Sequence, residues 1–300
     1  MAEIPEFLKS KLLAQYGDEV TNKILDGYSK KRKVTFRINT IKTNFEKIKE
    51  ELEKEEIDFA VSDFYENAII LNDVDENKIR TLEMYKNGEI YLQSLSSMLP
   101  PLILEPREKE NILDMTAAPG GKTTQIAMIA NNKALITACE KNKIRYDRLA
   151  YNVEKQGAKG INLMQEDSRK LSNYFSFDKI LLDAPCSGSG TLYIEDENLE
   201  KYFTEELISR SAKTQEILLN KALNILKKNG EVVYSTCSIL KEENELILKK
   251  ILKQGKYEIV PINLEKYKSL PLLPTIIEGV MCVMPTELFE GFFVAKIKKI

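Results

Sequence analysis

Hydrophobic and polar positions follow one rhythm up to about residue 86 and another from residue 111 onward. The first part mixes helical spacing with short stretches in which apolar and polar residues alternate, as they do in a half-buried strand. These elements are helices at 6–28 and 44–56 and strands at 34–40 and 68–71. They predict a small N-terminal α+β domain over residues 1–86, which ends at the turn-like sequence KNGE.

In the second part, short apolar strands alternate with helical stretches. The strands are NILDMTA, ALITACE, INLMQED, DKILLDAP and GEVVYSTCS, and the helices cover 122–130, 142–156 and 205–228. This alternation is typical of a parallel sheet with helices on both faces. We therefore predict a doubly wound, mostly parallel α/β domain over residues 87–300, with its ligands at the carboxyl ends of the strands.

Composition excludes several kinds of chemistry. The 300 residues carry 44 basic and 46 acidic side chains, so any nucleic-acid surface must be a local patch. The absence of histidine removes Ser-His-Asp and Cys-His catalysis. Four cysteines without C-x-x-C spacing argue against disulfides and a zinc site, so we expect no metal.

No apolar run reaches about 18–20 residues and no apolar leader is present, so we expect a cytoplasmic protein without membrane spans.

The sequence DMTAAPGGKTTQ (114–125) leads from a strand into a helix through a glycine-rich turn. Glycines let the backbone approach a ligand closely, and the helix start offers free N–H groups. The dinucleotide fingerprint G-x-G-x-x-G is absent. Gly121-Lys122-Thr123 resembles the end of a P-loop, with Asp183 as the candidate Mg²⁺ carboxylate, but Thr116 stands where the first P-loop glycine belongs.

Acidic residues at strand ends favour S-adenosylmethionine over a nucleoside triphosphate. Glu140, Asp167 and Asp183 follow the second, third and fourth strands of this domain. Glu140 comes 140 − 121 = 19 residues after Gly121, near the offset of about 20 at which a carboxylate meets ribose hydroxyls. Carboxylates attract a sulfonium and repel a triphosphate. We predict S-adenosylmethionine as cofactor, and a P-loop ATPase or nucleotide-dependent switch as the alternative.

Two of the four cysteines stand just past strands, on the predicted ligand side. They are Cys186 in DAPCSGSG and Cys237 in STCS, whereas Cys139 and Cys282 lie inside apolar stretches and are expected in the core. A nucleophilic thiolate needs a neighbouring base or cation. In a chain without histidine, Lys122 or a helix N-terminus must supply that positive field.

Three motifs in this order and spacing, ILDMTAAPGGKTTQIA, LLDAPCSGSGT and YSTCSI, resemble the RNA (cytosine-5)-methyltransferases of the Sun/Nop family. Further matches are VTFRINT, IYLQSLSSMLPP, EKNKIRYDRL, the Glu-Asn-Glu at 243–245, and FEGFFVAKI as the last strand. The resemblance covers nearly the whole chain. It implies a Rossmann-like methyltransferase fold, and methyl transfer from S-adenosylmethionine to C5 of a cytosine in tRNA or rRNA.

The resemblance also implies roles for individual residues. Cys237 attacks C6 of the cytosine, Asp183 hydrogen-bonds the base at N3, and Cys186 assists breakdown of the covalent adduct. The residues that line the cofactor are Thr116, Ala117, Ala118, Pro119, Gly120, Gly121, Lys122, Glu140, Arg145, Asp167 and Asp183. Pro185-Cys186 is also similar to the nucleophile motif of DNA cytosine-5 methyltransferases, but the Ser-Gly-Ser-Gly sequence and the separate T-C-S motif favour the RNA enzymes.

RNA contacts are predicted mainly in the N-terminal domain. Arg37 and Asn39 lie on the polar side of the alternating strand, just after the basic segment 29–33. The segment 29–33 is equally consistent with a solvated turn, whereas the resemblance implies a functional role for Arg37 and Asn39. With Lys122, they are the candidate substrate-binding residues.

Overall fold

The computed structural model describes residues 4–196 and 198–300. Its first part contains four helices and an antiparallel sheet with the strand order β2-β3-β1-β4. In chain order the elements are α1 (Glu6–Ser29), β1 (Thr35–Ile38), α2 (Phe45–Lys54), β2 (Phe59–Ser62), β3 (Tyr65–Leu71), α3 (Glu76–Thr81), α4 (Glu83–Lys86) and β4 (Ile90–Leu92). The helices and strands predicted from periodicity are therefore present, together with β2, α3 and α4, which periodicity did not predict.

The first sheet continues past residue 86, because β4 pairs with the central strand β1. Helix α1 does not pack on this sheet. Its apolar face, including Leu8 and Leu12, is buried in the core of the second part of the chain, beside Phe203 and Ile239. The helical period of α1 was thus correctly read, but period alone does not tell which core a helix covers. An independent domain over residues 1–86 stays a prediction.

The second part forms an eight-stranded sheet with the order β10-β12-β9-β8-β5-β6-β7, in which β11 pairs with β12. Its strands are β5 (Asn111–Asp114), β6 (Leu135–Cys139), β7 (Ile161–Met164), β8 (Phe177–Asp183), β9 (Leu226–Thr236), β10 (Tyr257–Ile259), β11 (Met281–Val283) and β12 (Phe292–Lys299). Strands β5 to β9 pair parallel with one another, whereas β12 pairs antiparallel with β9, β10 and β11. The predicted mostly parallel, doubly wound α/β fold is confirmed.

In the part of the chain that the structure describes, six helices accompany this sheet: α5 (Leu95–Leu104), α6 (Gly121–Ile129), α7 (Lys143–Lys155), α8 (Leu199–Tyr202), α9 (Glu205–Asn224) and α10 (Glu245–Leu252). Within residues 4–196 and 198–300, none of the helices combines the length and the apolar character needed to cross a membrane. The chain leaves β5 towards β6 on one side and later places β8 on its other side. Such a reversal of strand order opens a crevice at the carboxyl ends of the strands.

Strand β1 corrects the prediction for Arg37 and Asn39. All four of its residues are buried, and Arg37 and Asn39 are 0% and 1% exposed. Asn39 donates hydrogen bonds to the carbonyl oxygens of Gly88 and Gln156, both at 2.8 Å. The interpretation of this strand as half-buried with an exposed polar side is therefore wrong, because that side faces the second sheet's helices instead of solvent. RNA contacts of the two residues stay predictions. The alternation of apolar and polar residues showed that this side of β1 is polar, but it could not show whether water or protein covers that side.

Arg37 fastens the first sheet to the helix that follows the glycine-rich loop. Its guanidinium donates to Thr124 Oγ1 at 3.1 Å, to Gln93 Oε1 at 3.2 Å and to the Met128 sulfur at 3.1 Å. Burial lowers the Arg37 pKa to about 10. The side chain therefore remains charged near neutral pH.

We expect Arg37→Ala to lower the free energy of unfolding by about 3 kcal/mol, because it leaves a cavity and unpaired acceptors in a buried interface. Urea denaturation followed by circular dichroism measures this loss. Arg107→Ala is the matched control, since Arg107 is exposed at the opposite edge of the large sheet. Equal stability of the two variants would contradict the structural role of Arg37.

Candidate active site

A cavity of about 430 Å³ lies at the carboxyl ends of β5, β8 and β9. Its wall includes eight of the predicted residues: Thr116, Ala117, Ala118, Pro119, Gly121, Lys122, Asp183 and Cys237. It also includes residues that the sequence did not identify as functional: Tyr91, Leu92, Gln93, Ser94, Ser97, Thr191, Glu290 and Phe292. Several of these belong to β4 and the start of α5, so the first sheet contributes to the cavity.

The glycine-rich loop begins at Asp114, the last residue of β5. Asp114 is buried, and its carboxylate accepts hydrogen bonds from Thr123 Oγ1 at 2.7 Å and from the Thr116 amide at 3.4 Å. Burial raises the Asp114 pKa to about 6. At Gly121, a Cβ atom would lie 2.9 Å from a ring carbon of Tyr91. Glycine is therefore required where α6 starts against the first sheet.

Lys122 and Asp183 form an ion pair inside the cavity. The Lys122 Nζ atom lies 2.7 Å from Asp183 Oδ2 and donates to Ser97 Oγ at 2.8 Å, while Asp183 Oδ1 accepts from Ser235 Oγ at 2.8 Å. Burial alone would lower the Lys122 pKa. The negative charge and hydrogen bond of Asp183, with smaller contributions from Asp114 and Cys237, outweigh burial, so the Lys122 pKa is raised overall. Lys122 thus supplies a permanent positive charge beside Cys237. Its engagement with a carboxylate disfavours the P-loop interpretation, in which the lysine binds phosphates.

The two predicted active-site cysteines meet although 237 − 186 = 51 residues separate them. Their sulfur atoms are 2.8 Å apart, because β8 and β9 are parallel neighbours and end at the same level. The hydrogen bond with Cys237, followed by burial, raises the Cys186 pKa. Cys186 therefore keeps its proton, while Cys237 lines the cavity together with Lys122. Cys139 and Cys282 are buried, as expected for core residues.

One buried carboxylate connects the loops that carry the two cysteines. Glu243, which is 0% exposed, accepts from the Ser187 amide at 2.7 Å, from Ser187 Oγ at 2.5 Å and from Ser238 Oγ at 2.6 Å. Next to it, Asn244 accepts from Thr236 Oγ1 and donates to the Ser238 carbonyl oxygen. Burial raises the Glu243 pKa, and the hydrogen bonds from Ser187 and Ser238 oppose that shift. In the sequence, Glu243 was noticed only as part of the Glu-Asn-Glu match at 243–245, and that match did not indicate what Glu243 does.

The remaining predicted cofactor residues lie at the ends of the next two strands. Glu140, buried after β6, accepts from the Asn142 amide at 2.8 Å and lies 3.4 Å from Arg145. Arg145 also donates to the Ala118 carbonyl oxygen at 2.9 Å, which connects it to the glycine-rich loop. After β7, hydrogen bonds from Arg169 lower the Asp167 pKa to about 2. Cofactor contacts of these residues stay predictions.

Comparison with known proteins identifies the family. The profile of the 16S rRNA methyltransferase RsmB/F family matches residues 101–298, and that of the RsmF/B-like ferredoxin-like domain matches residues 4–75. The chain belongs to the RsmB/F methyltransferase family. The predicted resemblance to the Sun/Nop enzymes is thereby confirmed.

Relatives match from about three quarters of the chain to nearly all of it. The 28S rRNA (cytosine-C(5))-methyltransferase of Mus musculus is 32% identical over 98% of this chain, and the tRNA (cytosine(72)-C(5))-methyltransferase of Pyrococcus horikoshii is 37% identical over 73%. The chain spans only 38% and 54% of these two relatives. The crystal structure of NSun6 from Pyrococcus horikoshii with SFG, an S-adenosylmethionine analogue, superposes with a TM-score of 0.87 and 26% identity, covering 98% of both chains.

We expect Glu243→Ala to lower the free energy of unfolding by about 3 kcal/mol, because it leaves donors of Ser187 and Ser238 buried without an acceptor. Glu243→Gln should cost less, since an amide oxygen still accepts. Glu242→Ala, which removes only a partly exposed ion pair with Lys11, should cost less than about 1 kcal/mol. Urea denaturation distinguishes these variants, and equal losses at the two glutamates would refute the role of Glu243.

Proposed function

We propose that this protein transfers a methyl group from S-adenosylmethionine to C5 of a cytosine in RNA. The observation that carries the proposal is the pair of thiols at 2.8 Å, of which Cys237 lines a cavity beneath the glycine-rich loop. Family membership and the names of the relatives, which act on rRNA and on tRNA, support it. The RNA is accordingly a tRNA or an rRNA. Four free thiols fit a reducing compartment, so we expect the protein in the cytoplasm.

The cavity fits S-adenosylmethionine chemically. The start of α6 offers backbone N–H groups to a carboxylate. Among the described residues, no group of three or more His, Cys, Asp or Glu side chains is arranged to hold a metal ion. The bound cofactor would supply an electrophilic methyl group, and its sulfur would keep the electron pair of the broken S–CH₃ bond, so that S-adenosylhomocysteine would be the leaving product.

In the proposed mechanism, the Cys237 thiolate, with Lys122 as its cationic neighbour, forms a bond to C6 of the cytosine. N3 takes up a proton from water during this addition, and Asp183, held by Lys122 and Ser235, accepts a hydrogen bond from the new N3–H group. The C5 atom then becomes nucleophilic and takes the methyl group. Cys186 assists transfer of the C5 proton to water, and the C6–S bond breaks with its electron pair on sulfur. N3 returns its proton to water, so that the Cys237 thiolate and the aromatic ring are restored.

The two cysteine variants should behave differently. Cys237→Ala has no thiol to add to C6, so both turnover and covalent adduct should disappear. Cys186→Ala still allows attack and methylation, but slow loss of the C5 proton should leave the RNA attached. A denaturing gel of each variant with substrate RNA and S-adenosylmethionine would show a shifted protein–RNA band for Cys186→Ala alone. Cys282→Ala is the control and should turn over without the band.

The reverse pattern, an adduct with Cys237→Ala, would contradict this assignment. It would make Cys186 the nucleophile, as in DNA cytosine-5 methyltransferases.

S-adenosylmethionine affinity should depend on pH through Asp114. Its pKa of about 6 means that the carboxyl group gains negative charge as the pH rises through that value, which strengthens binding of a cation. Affinity should therefore fall below pH 6, by up to about tenfold per pH unit. The chain has no histidine to titrate in this range. Calorimetry should show the dependence in the wild type and its loss in Asp114→Asn; equal pH profiles would rule out Asp114 as the titrating group.

A further inference from the structure

A second cavity, of about 390 Å³, adjoins the active-site cavity. The two share Tyr91, Leu92 and Pro119 in their walls. One side of the second cavity is helix α7, and the other is the segment 80–92, which includes strand β4 of the first sheet. We call it the flanking cavity.

The face that α7 presents follows from residue spacing. Arg148, Tyr151, Asn152 and Lys155 stand at positions i, i+3, i+4 and i+7 and therefore lie on one side of the helix. Asn152 docks the helix by donating to the Pro119 carbonyl oxygen at 2.8 Å. Arg148 and Tyr151 are exposed, Tyr151 by 62%, and within the described part of the chain neither takes part in the hydrogen bonds or ion pairs that hold α7 in place. Contacts within the protein therefore do not explain why an arginine and a tyrosine occupy these two positions.

The flanking cavity and the active-site cavity have opposite charge. Arg80, Arg148 and Lys155 line the flanking cavity, and its described lining residues include no acid. Glu76 pairs with Arg80 from outside the cavity. The Lys155 Nζ atom lies 3.7 Å from the ring centre of Tyr85, so that it has aromatic rather than acidic partners. Burial lowers the Lys155 pKa, and Arg80 contributes to that shift. In a chain of net charge −2, this is a local concentration of positive charge.

We propose that the flanking cavity binds the RNA nucleotide next to the target cytosine, with its phosphate at Arg148 and Lys155 and its base against the Tyr151 ring. This inference rests on the proposed function. Cations bind the RNA backbone, and exposed aromatic rings stack on unpaired bases. A cytosine that is flipped out of its stack into the active-site cavity leaves its neighbour unpaired or distorted. Because the two cavities share a wall, that neighbour would lie beside α7.

Binding of a fluorescein-labelled oligocytidylate, measured by anisotropy between about 50 and 200 mM KCl, tests the proposal. Tyr151→Ala should weaken binding about fivefold or more without changing its salt dependence, because a stacked base is lost. Arg148→Gln should weaken binding and reduce the slope of log K against log salt by about 0.7, the value for one phosphate of a single strand. S-adenosylmethionine affinity, measured by calorimetry, should stay unchanged in both variants.

Tyr174→Ala and Arg107→Gln are the matched controls. Both residues are exposed, and they precede β8 and β5, at the opposite edge of the sheet. The controls should bind the oligocytidylate as the wild type does. If Tyr151→Ala and Arg148→Gln also bind like the wild type, the flanking site is wrong while the proposed function stands. If the wild type binds S-adenosylmethionine but no oligocytidylate at about 50 mM KCl, both the flanking site and the RNA substrate are contradicted.

Discussion

Parallel pairing of β8 with β5 on one side and β9 on the other is the constraint on which the active site depends. Carboxyl ends of parallel neighbours meet at one edge of a sheet, so Asp114, Asp183 and Cys237 converge although they are far apart in sequence. The register is specific: Asp183 pairs with Ser235, which sets the levels at which the two cysteine loops begin. A slip of one residue would turn Asp183 to the other face of the sheet.

A second consequence of this convergence is electrostatic. Several carboxylates in one buried crevice repel each other and are costly to desolvate, which is seen in the raised pKa of Asp114. Lys122 reduces this cost by pairing with Asp183, and the charge of the same ammonium group also acts on Cys237. The site therefore obtains from one lysine both the neutralisation of a carboxylate and the positive field that a histidine supplies in other thiol enzymes.

Local patterns predicted the parts of the structure that depend on local sequence. Strand ends, the glycine-rich turn and the two cysteines were identified because parallel sheets place ligands at one edge. Helix α5 was missed, since Pro100 and Pro101 inside it are residues that normally break helices. The burial of Arg37 and the role of Glu243 were not predicted, because their partners come from elements distant in sequence. The spacing of polar residues along a strand or helix is the same whether water or protein surrounds them.

The active site is built from residues of both sheets. Tyr91, on β4 of the first sheet, packs against Gly121 at the start of α6, and its hydroxyl accepts from Asn152 of α7 at 3.4 Å. The same ring lines both the active-site cavity and the flanking cavity. A displacement of the first sheet would therefore move a wall of both cavities together. Because Arg37 holds β1 against α6, the rigidity of that buried interface limits such movement, and the first sheet serves as part of the active-site wall.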